Sequence, residues 1–522
     1  MDKSAQTRRN RRQSATFFTL GLIFIVGLVV MLSNVYQLDG LTDTVHDRHA
    51  IRQNTRLRSL QQFQAAGGRG VVGEARTRSV CIFARDGPAI LHVKAVFERL
   101  GYDIRATKDD DWDVLWSLKS PYVAFGERLS KLKPHQKVNH WPGLGSVTSK
   151  SDLATSKLLS APVGYRLPKE TDAFRAATKA NPDKMWVVKS GTHRGVRVRK
   201  QVDNVLKIRH DANLFIQEFI SNPFLIDGRK FDIGVYTVIT SIDPLRVYTY
   251  EEEILLRFCS LPYHPFDEAE VNKYVVTADY TPTWEIPSLV EAYNNFQYSH
   301  KQALNLHLGR QGHNPKPMWQ AISDSIREVM HAKEDGIREI VRKRFSHQNF
   351  FELVRFDFII DEKLKVYLLE VNMSPNLSSG HFAPNKWLYE QIVYNTLKLV
   401  GLASATAAHP ADVSKDERDM LVSLRDIQVA SDRCASAECD DNCKPDICQL
   451  CQLCRTPYFT DSVKAAFLEH VNRGNYRRVI PKPLEEQPST VDVSKAINST
   501  QNNHLMTMWF RGKCEHDKTW CT

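Results

Sequence analysis

The segment that most restricts how this chain can fold is a pair of apolar runs around a charged turn, FDFIIDEKLKVYLLEVNMSPNL, at residues 356–377. Two such runs separated by a short polar turn predict a β-hairpin. With the turn centred on Lys363 and Leu364, Asp357 lies opposite Glu370, and the period of two puts Asn372 on the same face. Carboxylate and amide oxygens suit Mg²⁺, so the hairpin predicts a magnesium site. The alternative is an edge hairpin with a solvated acidic face.

The composition and net charge of the chain limit the kinds of fold and partner that are expected for it. The chain has 522 residues, of which 42% are hydrophobic and 25% charged, and this is ordinary for a globular protein of two to three domains. Its net charge of +10 favours acidic partners, such as nucleotide phosphates, an anionic membrane face or an acidic polypeptide. The sequence contains no base-reading motif, and a nucleic-acid partner is not expected.

The N-terminal region predicts a membrane anchor. Residues 17–36 are apolar and follow a basic tail at 1–16, whereas aspartates come first on the other side, at Asp39, Asp43 and Asp47. This length and asymmetry predict a type II signal anchor with a cytoplasmic tail and the rest of the chain lumenal or extracellular, in the ER, the Golgi or at the cell surface. A cleaved signal peptide and an apolar core helix are the alternatives. Residues 37–78 are polar and basic, as expected of a stem.

The next 300 residues have the pattern of an α/β protein. A buried strand at 80–84 precedes a helical pattern at 90–100, and a second apolar strand, 185–189, ends in Lys189 beside a glycine-containing loop. Such a lysine can contact a polyphosphate, although an exposed hairpin lysine is equally typical of this pattern. Lys230 and Asp232 alternate on one predicted strand face. Arg257 follows on a later strand, where it can bind a carboxylate or form a surface ion pair with the glutamates just before it.

These motifs together resemble the tubulin tyrosine ligase-like family, a group of ATP-grasp amino-acid ligases. The matching segments are KVNHWPG with SKSDL, WVVKS with HRGV, FIQEFISNPFLIDGRKFDIGVYT, EEEILLRF and FELVRFDFIIDEKLKVYLLEVNMSPNLSS. They occur in family order over roughly residues 110–400. The resemblance implies an ATP-grasp fold over 79–402, with an N-terminal α/β lobe followed by central and C-terminal ATP-grasp lobes, and it implies a polyglutamylase-like enzyme.

The resemblance also assigns site residues. Lys230, Asp232 and Arg257 are the expected catalytic group, with Arg257 handling the acidic or amino-acid substrate. Asp357, Glu370 and Asn372 are the expected Mg²⁺ ligands. The residues expected to bind ATP are Lys150, Lys189, Gln217, Glu218, Phe219, Ile220, Lys230, Asp232 and Thr277.

Three positions depart from the family pattern. The family continues KFD-x-R, but the arginine position is Gly234 here, which removes an expected carboxylate-binding charge. The usual LTN segment is Val276-Thr277-Ala278. Arg355 stands where a glycine often precedes the aspartate-bearing strand.

The reaction implied by the resemblance is ligation through an acyl phosphate, in which free glutamate is added to glutamate side chains of an acidic acceptor. The acceptor is a lumenal protein if the predicted topology holds, and tubulin if the catalytic domain faces the cytosol instead, which is the alternative topology. A non-catalytic membrane scaffold is the alternative that Gly234 and Ala278 motivate.

The C-terminal region is rich in cysteine. Eight of the ten cysteines lie in residues 434–522, after a linker at 403–433. An even number in a segment predicted to be lumenal favours disulfides, while the spacing of Cys448, Cys451 and Cys454 leaves a zinc site open, and free thiols remain a further alternative. Asn498-Ser499-Thr500 is a glycosylation sequon if this topology holds.

Overall fold

A computed structural model of the chain describes residues 77–85, 87–190, 197–199, 214–346, 348–403, 419–440, 442–485 and 500–522. The predicted cytoplasmic tail, the anchor at 17–36 and nearly all of the stem lie outside these ranges. In the described ranges, no helix has both the length and the apolar character needed to cross a membrane. The described residues form a mixed α/β structure, as predicted.

The first sheet is parallel and has the strand order β2-β1-β3-β4. Its strands are β1 (Ser79–Phe83), β2 (Asp103–Ala106), β3 (Val114–Ser117) and β4 (Lys137–Val138). The helix α1 (Leu91–Arg99) connects the first two strands. The strand and helix predicted at 80–84 and 90–100 are therefore present, and the parallel pairing requires this kind of crossover.

The second sheet is antiparallel, with the order β5-β8-β6-β7. Its strands are β5 (Gly164–Arg166), β6 (Trp186–Ser190), β7 (Arg197–Arg199) and β8 (Leu214–Glu218). β6 pairs with β8 so that Lys189 lies opposite Phe215 and Val187 opposite Gln217. Most of the loop after β6, including the predicted HRGV segment, lies outside the described residues.

The third sheet forms the centre of the structure and has the path β14-β13-β10-β11-β15, with β9 and β12 also paired to β10. Its strands are β9 (Leu225–Ile226), β10 (Arg229–Ile242), β11 (Leu245–Tyr250), β12 (Leu255–Phe258), β13 (Glu352–Ile360), β14 (Val366–Met373) and β15 (Tyr476–Ile480). β10 is buried at every position after its first residue. Both of its faces are covered, and near its start the buried polar residues Lys230 and Asp232 alternate with apolar ones.

Helices cover the central sheet and connect it to the first one. The longest has 29 residues and begins with a proline in its first turn, a position where a missing N–H costs nothing. The helices after α1 are α2 (Tyr122–Phe125), α3 (Gly145–Thr148), α4 (Lys150–Ala154), α5 (Thr171–Ala180), α6 (Pro287–Val290), α7 (His300–Arg310), α8 (Lys316–Arg344), α9 (Asn385–Leu399), α10 (Ser431–Cys434), α11 (Pro457–Asn472) and α12 (Gln501–His516).

The Asn-His-Trp-Pro segment is a packed turn. Nδ1 of His140 lies 2.7 Å from Oε1 of Glu352, and the Trp141 backbone N–H donates to Oε2 of the same carboxylate. Both residues are almost completely buried. The turn therefore joins the first sheet to the start of β13 and lies apart from the cavity described below.

The C-terminal region is part of the same compact unit as the three sheets. β15 pairs antiparallel with β11 at the edge of the central sheet. Four disulfides join Cys434 to Cys451, Cys439 to Cys448, Cys443 to Cys454, and Cys514 to Cys521. Disulfides, the predicted state, are present at all eight C-terminal cysteines, while Cys81 and Cys259 are free and buried.

Candidate functional site

The hairpin predicted at 356–377 is formed by β13 and β14. Asp357 lies opposite Glu370, as predicted, and Asn372 lies opposite Arg355. Nδ2 of Asn372 donates to Oδ2 of Asp357 at 2.8 Å and to Oε1 of Glu370 at 3.1 Å. The three predicted metal-binding side chains are therefore in direct contact with one another.

Lys150 approaches this group from the start of α4. Its Nζ lies 2.5 Å from Oε2 of Glu370, and the side chain of Ser149 caps the helix by accepting a hydrogen bond from the Asp152 backbone N–H. Burial alone would raise the pKa of Glu370, but the charge of Lys150 and hydrogen bonds from Lys150 and Asn372 outweigh it and lower that pKa to about 2. Glu370 is therefore ionised at neutral pH.

Lys189 and Lys230 reach the same space from β6 and β10. Nζ of Lys189 donates to Oε1 of Gln217 at 2.8 Å, and Nζ of Lys230 donates to the Tyr274 carbonyl at 2.8 Å and lies 5.1 Å from the centre of the Phe219 ring. Burial lowers the pKa of Lys189 to about 8 and also lowers that of Lys230. An anion bound in this space would stabilise the charged form of both amines and so raise their pKa values again.

Asp232 and Arg257 are paired across neighbouring strands. They lie opposite each other on β10 and β12, and the guanidinium donates to both carboxylate oxygens at 2.9 and 2.8 Å. It also donates to Oδ2 of Asp357 at 2.9 Å. Burial raises the pKa of Asp232, although Arg257 opposes this shift. Arg257 thus pairs with these two aspartates rather than with the glutamates that precede it.

A cavity lies between these groups. Lining it are eleven of the thirteen predicted site residues, namely Lys150, Lys189, Gln217, Glu218, Phe219, Ile220, Lys230, Asp232, Arg257, Asp357 and Glu370. Asn372 contacts two of these residues from outside the lining. Thr277 does not line the cavity and is exposed, whereas the residues just before it, Tyr274, Val275 and Val276, do line it.

Sequence reasoning missed most of the apolar lining. Val187, Phe215 and Ile359 line the cavity, and each lies two positions from a predicted residue on its own strand: Lys189, Gln217 and Asp357 respectively. The period of two along a strand was therefore a usable signal for these three. The family resemblance pointed to the end of the next loop through Thr277, but the residues of that loop that line the cavity are Tyr274, Val275 and Val276.

The residues present fit a magnesium nucleotide. Mg²⁺ in nucleotide sites is usually bound by one or two carboxylates together with the phosphates of the substrate, and this site offers two carboxylates and one amide. Lys150, Lys189 and Lys230 supply point charges suited to phosphate oxygens, and the apolar lining suits a base. Within the described ranges, no group of three or more His, Cys, Asp or Glu side chains is arranged to hold a metal ion.

Comparison with known proteins agrees with this geometry. The sequence profile described as "Tubulin-tyrosine ligase family" matches residues 128–409. A Caenorhabditis elegans protein, "Probable tubulin polyglutamylase ttll-15", is 38% identical over 443 residues, which cover 83% of this chain and 84% of that protein.

Two mouse proteins match a shorter region. "Tubulin polyglutamylase TTLL6" is 29% identical over 58% of this chain and 38% of its own length. "Tubulin monoglutamylase TTLL4" is 30% identical over 55% of this chain and 25% of its own length. This chain therefore spans well under half the length of either mouse protein. The profile covers more than half of this chain, and the nematode relative is similar over most of both chains. The chain thus belongs to the tubulin-tyrosine ligase family and is an ATP-dependent amino-acid ligase.

Proposed function

We propose that this chain joins free glutamate to glutamate side chains of an acidic protein, using ATP. The observation that carries the proposal is the meeting, in one cavity, of the carboxylates of Asp357 and Glu370 with the amines of Lys150, Lys189 and Lys230. The relatives named as glutamylases support glutamate as the added amino acid.

The chain's own residues bind and orient the nucleotide. Val187, Phe215, Ile359 and Leu369 form apolar walls for the base, and Glu218, Phe219 and Ile220 line the same cavity. The three lysines bind the phosphates. Mg²⁺, when bound by Asp357, Glu370 and Asn372, would offset negative charge on the phosphate oxygens.

The first chemical step activates the acceptor. An oxygen of the acceptor carboxylate attacks the γ-phosphorus of ATP, the bond from that phosphorus to the bridging oxygen breaks, and ADP leaves with the electron pair. Lys189 and Lys230 stabilise the charge that develops on the transferring group because hydrogen bonds hold both amines in place at the cavity. The product is an acyl phosphate on the acceptor.

The second step forms the amide. The amine of free glutamate attacks the acyl carbon, the carbon–oxygen bond to phosphate breaks, and the amine proton leaves with the phosphate. Arg257 lines the cavity beside Asp232 and Asp357, where its guanidinium can hold the carboxylate of the incoming glutamate. No covalent bond to the protein is required.

Charge and topology favour an acidic acceptor outside the cytosol. The net charge of +10 attracts an acidic segment. We also propose a type II membrane orientation with a lumenal or extracellular ligase, which the N-terminal charge asymmetry and the four disulfides support, because disulfides persist in oxidising compartments. Tubulin is the acceptor in the relatives' names, and an acidic lumenal protein is the acceptor that this orientation makes reachable.

Two experiments test the proposal. Full-length protein with Mg-ATP, glutamate and a panel of tubulin-tail and acidic lumenal peptides should give glutamyl adducts by mass spectrometry, and ¹⁸O from a labelled acceptor carboxylate should appear in phosphate. Failure to form adducts across the panel would reject the ligase assignment, and adducts without ¹⁸O transfer would reject the acyl phosphate. Protease treatment of microsomes should leave a C-terminal tag intact until detergent is added; digestion without detergent would reject the orientation.

A further inference from the structure

The two departures from the family pattern on neighbouring strands, Gly234 and Arg355, meet in the structure. Gly234 on β10 lies opposite Asp357, and Arg355 on β13 lies opposite Tyr236, so positions 234 and 355 are diagonal neighbours on one face of the sheet. A Cβ atom placed on Gly234 would lie 2.8 Å from Cδ and 3.0 Å from Nε of Arg355. The side chain of Arg355 therefore runs through the space that any other residue at 234 would occupy.

The path across Gly234 brings the guanidinium of Arg355 to Asp357. Nε donates to Oδ1 at 2.6 Å and Nη2 donates to Oδ2 at 2.9 Å. Arg355 is 5% exposed and Asp357 is 1% exposed. This is a two-point, charge-assisted contact in a buried setting, which fixes the carboxylate in orientation as well as in position.

The contact continues to the residue that lines the cavity. Oδ2 of Asp357 also accepts from Arg257, and Arg257 holds both oxygens of Asp232. These four side chains contain two guanidinium groups and two carboxylates. Without Arg355, Arg257 would be the one guanidinium facing two buried carboxylates within this group, and it would attract a substrate carboxylate less strongly.

We propose that Arg355 and Gly234 are an exchanged pair: Arg355 supplies from β13 the guanidinium that the family pattern places at position 234 of β10, and amino-acid ligation depends on it. Arg355 does not line the cavity, so it is a positioning residue that acts through Asp357 and Arg257. This inference depends on the proposed ligase function, because that proposal identifies the substrate group as the carboxylate of the incoming amino acid. The charge that the sequence suggested was missing is thereby restored from the neighbouring strand.

The test is a reciprocal swap in the full-length protein. Arg355→Gly should lower kcat/KM for the amino acid about 100-fold, which corresponds to the loss of one buried charged contact, while KM for ATP, which depends on Asp357 through the magnesium ion, should rise by a smaller factor. Arg355→Lys should lie between, because lysine keeps the charge but not the two-point contact. The double variant Gly234→Arg/Arg355→Gly should recover activity to within about tenfold of the wild type.

Several outcomes would overturn the exchange. Activity of Arg355→Gly within about threefold of the wild type would do so, as would a folded double variant no more active than Arg355→Gly. If Arg355→Gly does not fold, the double variant decides: an active double variant supports the exchange, and an inactive or unfolded one refutes it.

A stability measurement separates this inference from the ligase assignment. Gly234→Ala should lower the melting temperature most when Arg355 is present and less in the Arg355→Lys or Arg355→Gly background, where the arginine side chain is shortened or absent and the Cβ of Leu255, at 3.2 Å, is the close contact that remains. Gly309→Ala on α7, where nothing lies within 4 Å of the added Cβ, is the matched control. A wild type that binds Mg-ATP but ligates nothing would reject the ligase assignment alone, whereas equal effects of Gly234→Ala in all backgrounds would reject the exchange alone.

Discussion

Asp357 and Glu370 lie directly opposite each other because the strand that carries Glu370 contains one extra residue. The pairing runs from Ile360 with Val366 to Phe358 with Leu368, then skips Leu369, so that Asp357 pairs with Glu370. A bulge of this kind places two successive residues of one strand against a single partner. Leu369 and Glu370 both line the cavity as a result.

The hairpin contact makes Glu370→Gln the most informative substitution in the metal site. The change keeps the shape of the side chain but removes the charge that pairs with Lys150 and is expected to bind Mg²⁺. We expect ligation to fall by about 100-fold or more, with a weaker dependence on magnesium concentration. Steady-state rates measured across a magnesium titration give this result. Glu362→Gln, in the exposed turn of the same hairpin, should behave like the wild type.

Lys189 should make nucleotide binding depend on pH. Its pKa is lowered to about 8 by burial, so the charged amine is progressively lost as the pH rises through that value. Affinity for Mg-ATP should be highest below pH 8 and should fall above it by up to about tenfold per pH unit. Calorimetry between pH 7 and about 9.5 measures this fall.

Arginine at position 189 stays charged over this range, so the decrease should be shallower in Lys189→Arg. Lys179→Arg, an exposed lysine on α5, is the control. An equally steep decrease in Lys189→Arg would show that another group is responsible.

A buried ion pair attaches α11 to the central sheet and should dominate the stability of the C-terminal region. Glu469 accepts from Nε and Nη2 of Arg246 at 2.8 and 3.0 Å and from the Tyr248 hydroxyl at 3.0 Å. Glu469→Gln leaves the guanidinium buried without its counter-charge, and we expect a loss of about 3 kcal/mol in the free energy of unfolding. Denaturant titration of the full chain measures it. Asp461→Asn on the exposed side of α11 should change stability by less than about 0.5 kcal/mol.

Disulfide mapping tests the C-terminal region separately. Digestion without reduction should yield peptides joined as Cys434 with Cys451, Cys439 with Cys448, Cys443 with Cys454, and Cys514 with Cys521. The denatured, unreduced protein should have two reactive thiols, Cys81 and Cys259. Reduction should lower stability by about 3 kcal/mol for a loop the length of that between Cys434 and Cys451. Bound zinc, or more than two thiols, would contradict the mapping.

The hairpin shows which structural features can be predicted from the sequence and which cannot. Its strands and the pairing of Asp357 with Glu370 were predictable from alternating apolar residues and a charged turn. The bulge at Leu369 was not, because a local extra residue leaves no mark in a short apolar run. The sequence prediction placed the turn between Lys363 and Leu364, and this placement paired Asp357 with Glu370. The observed turn is centred on Lys363, and the extra residue at Leu369 shifts the pairing by one position, so that Asp357 still lies opposite Glu370.

Long-range pairing explains what else could not be foreseen. The addition of β15 to the edge of the central sheet joins residues more than 200 positions apart, and no periodicity within either segment specifies its partner. The position of Arg355 depends in the same way on the absence of a side chain at Gly234, on another strand. The sequence could flag each residue as unusual, but only the register of β10 and β13 shows that the two are related.

The most direct test of the central claim is incorporation of labelled glutamate by the full-length protein. The assay contains Mg-ATP and an acidic acceptor, and it compares the wild type with Glu370→Gln and with the Glu362→Gln control. We predict that the wild type and the control release one ADP for each glutamate joined, and that Glu370→Gln does neither above background. Incorporation that persists in Glu370→Gln at the wild-type rate would contradict the assignment of this cavity as the ligase site.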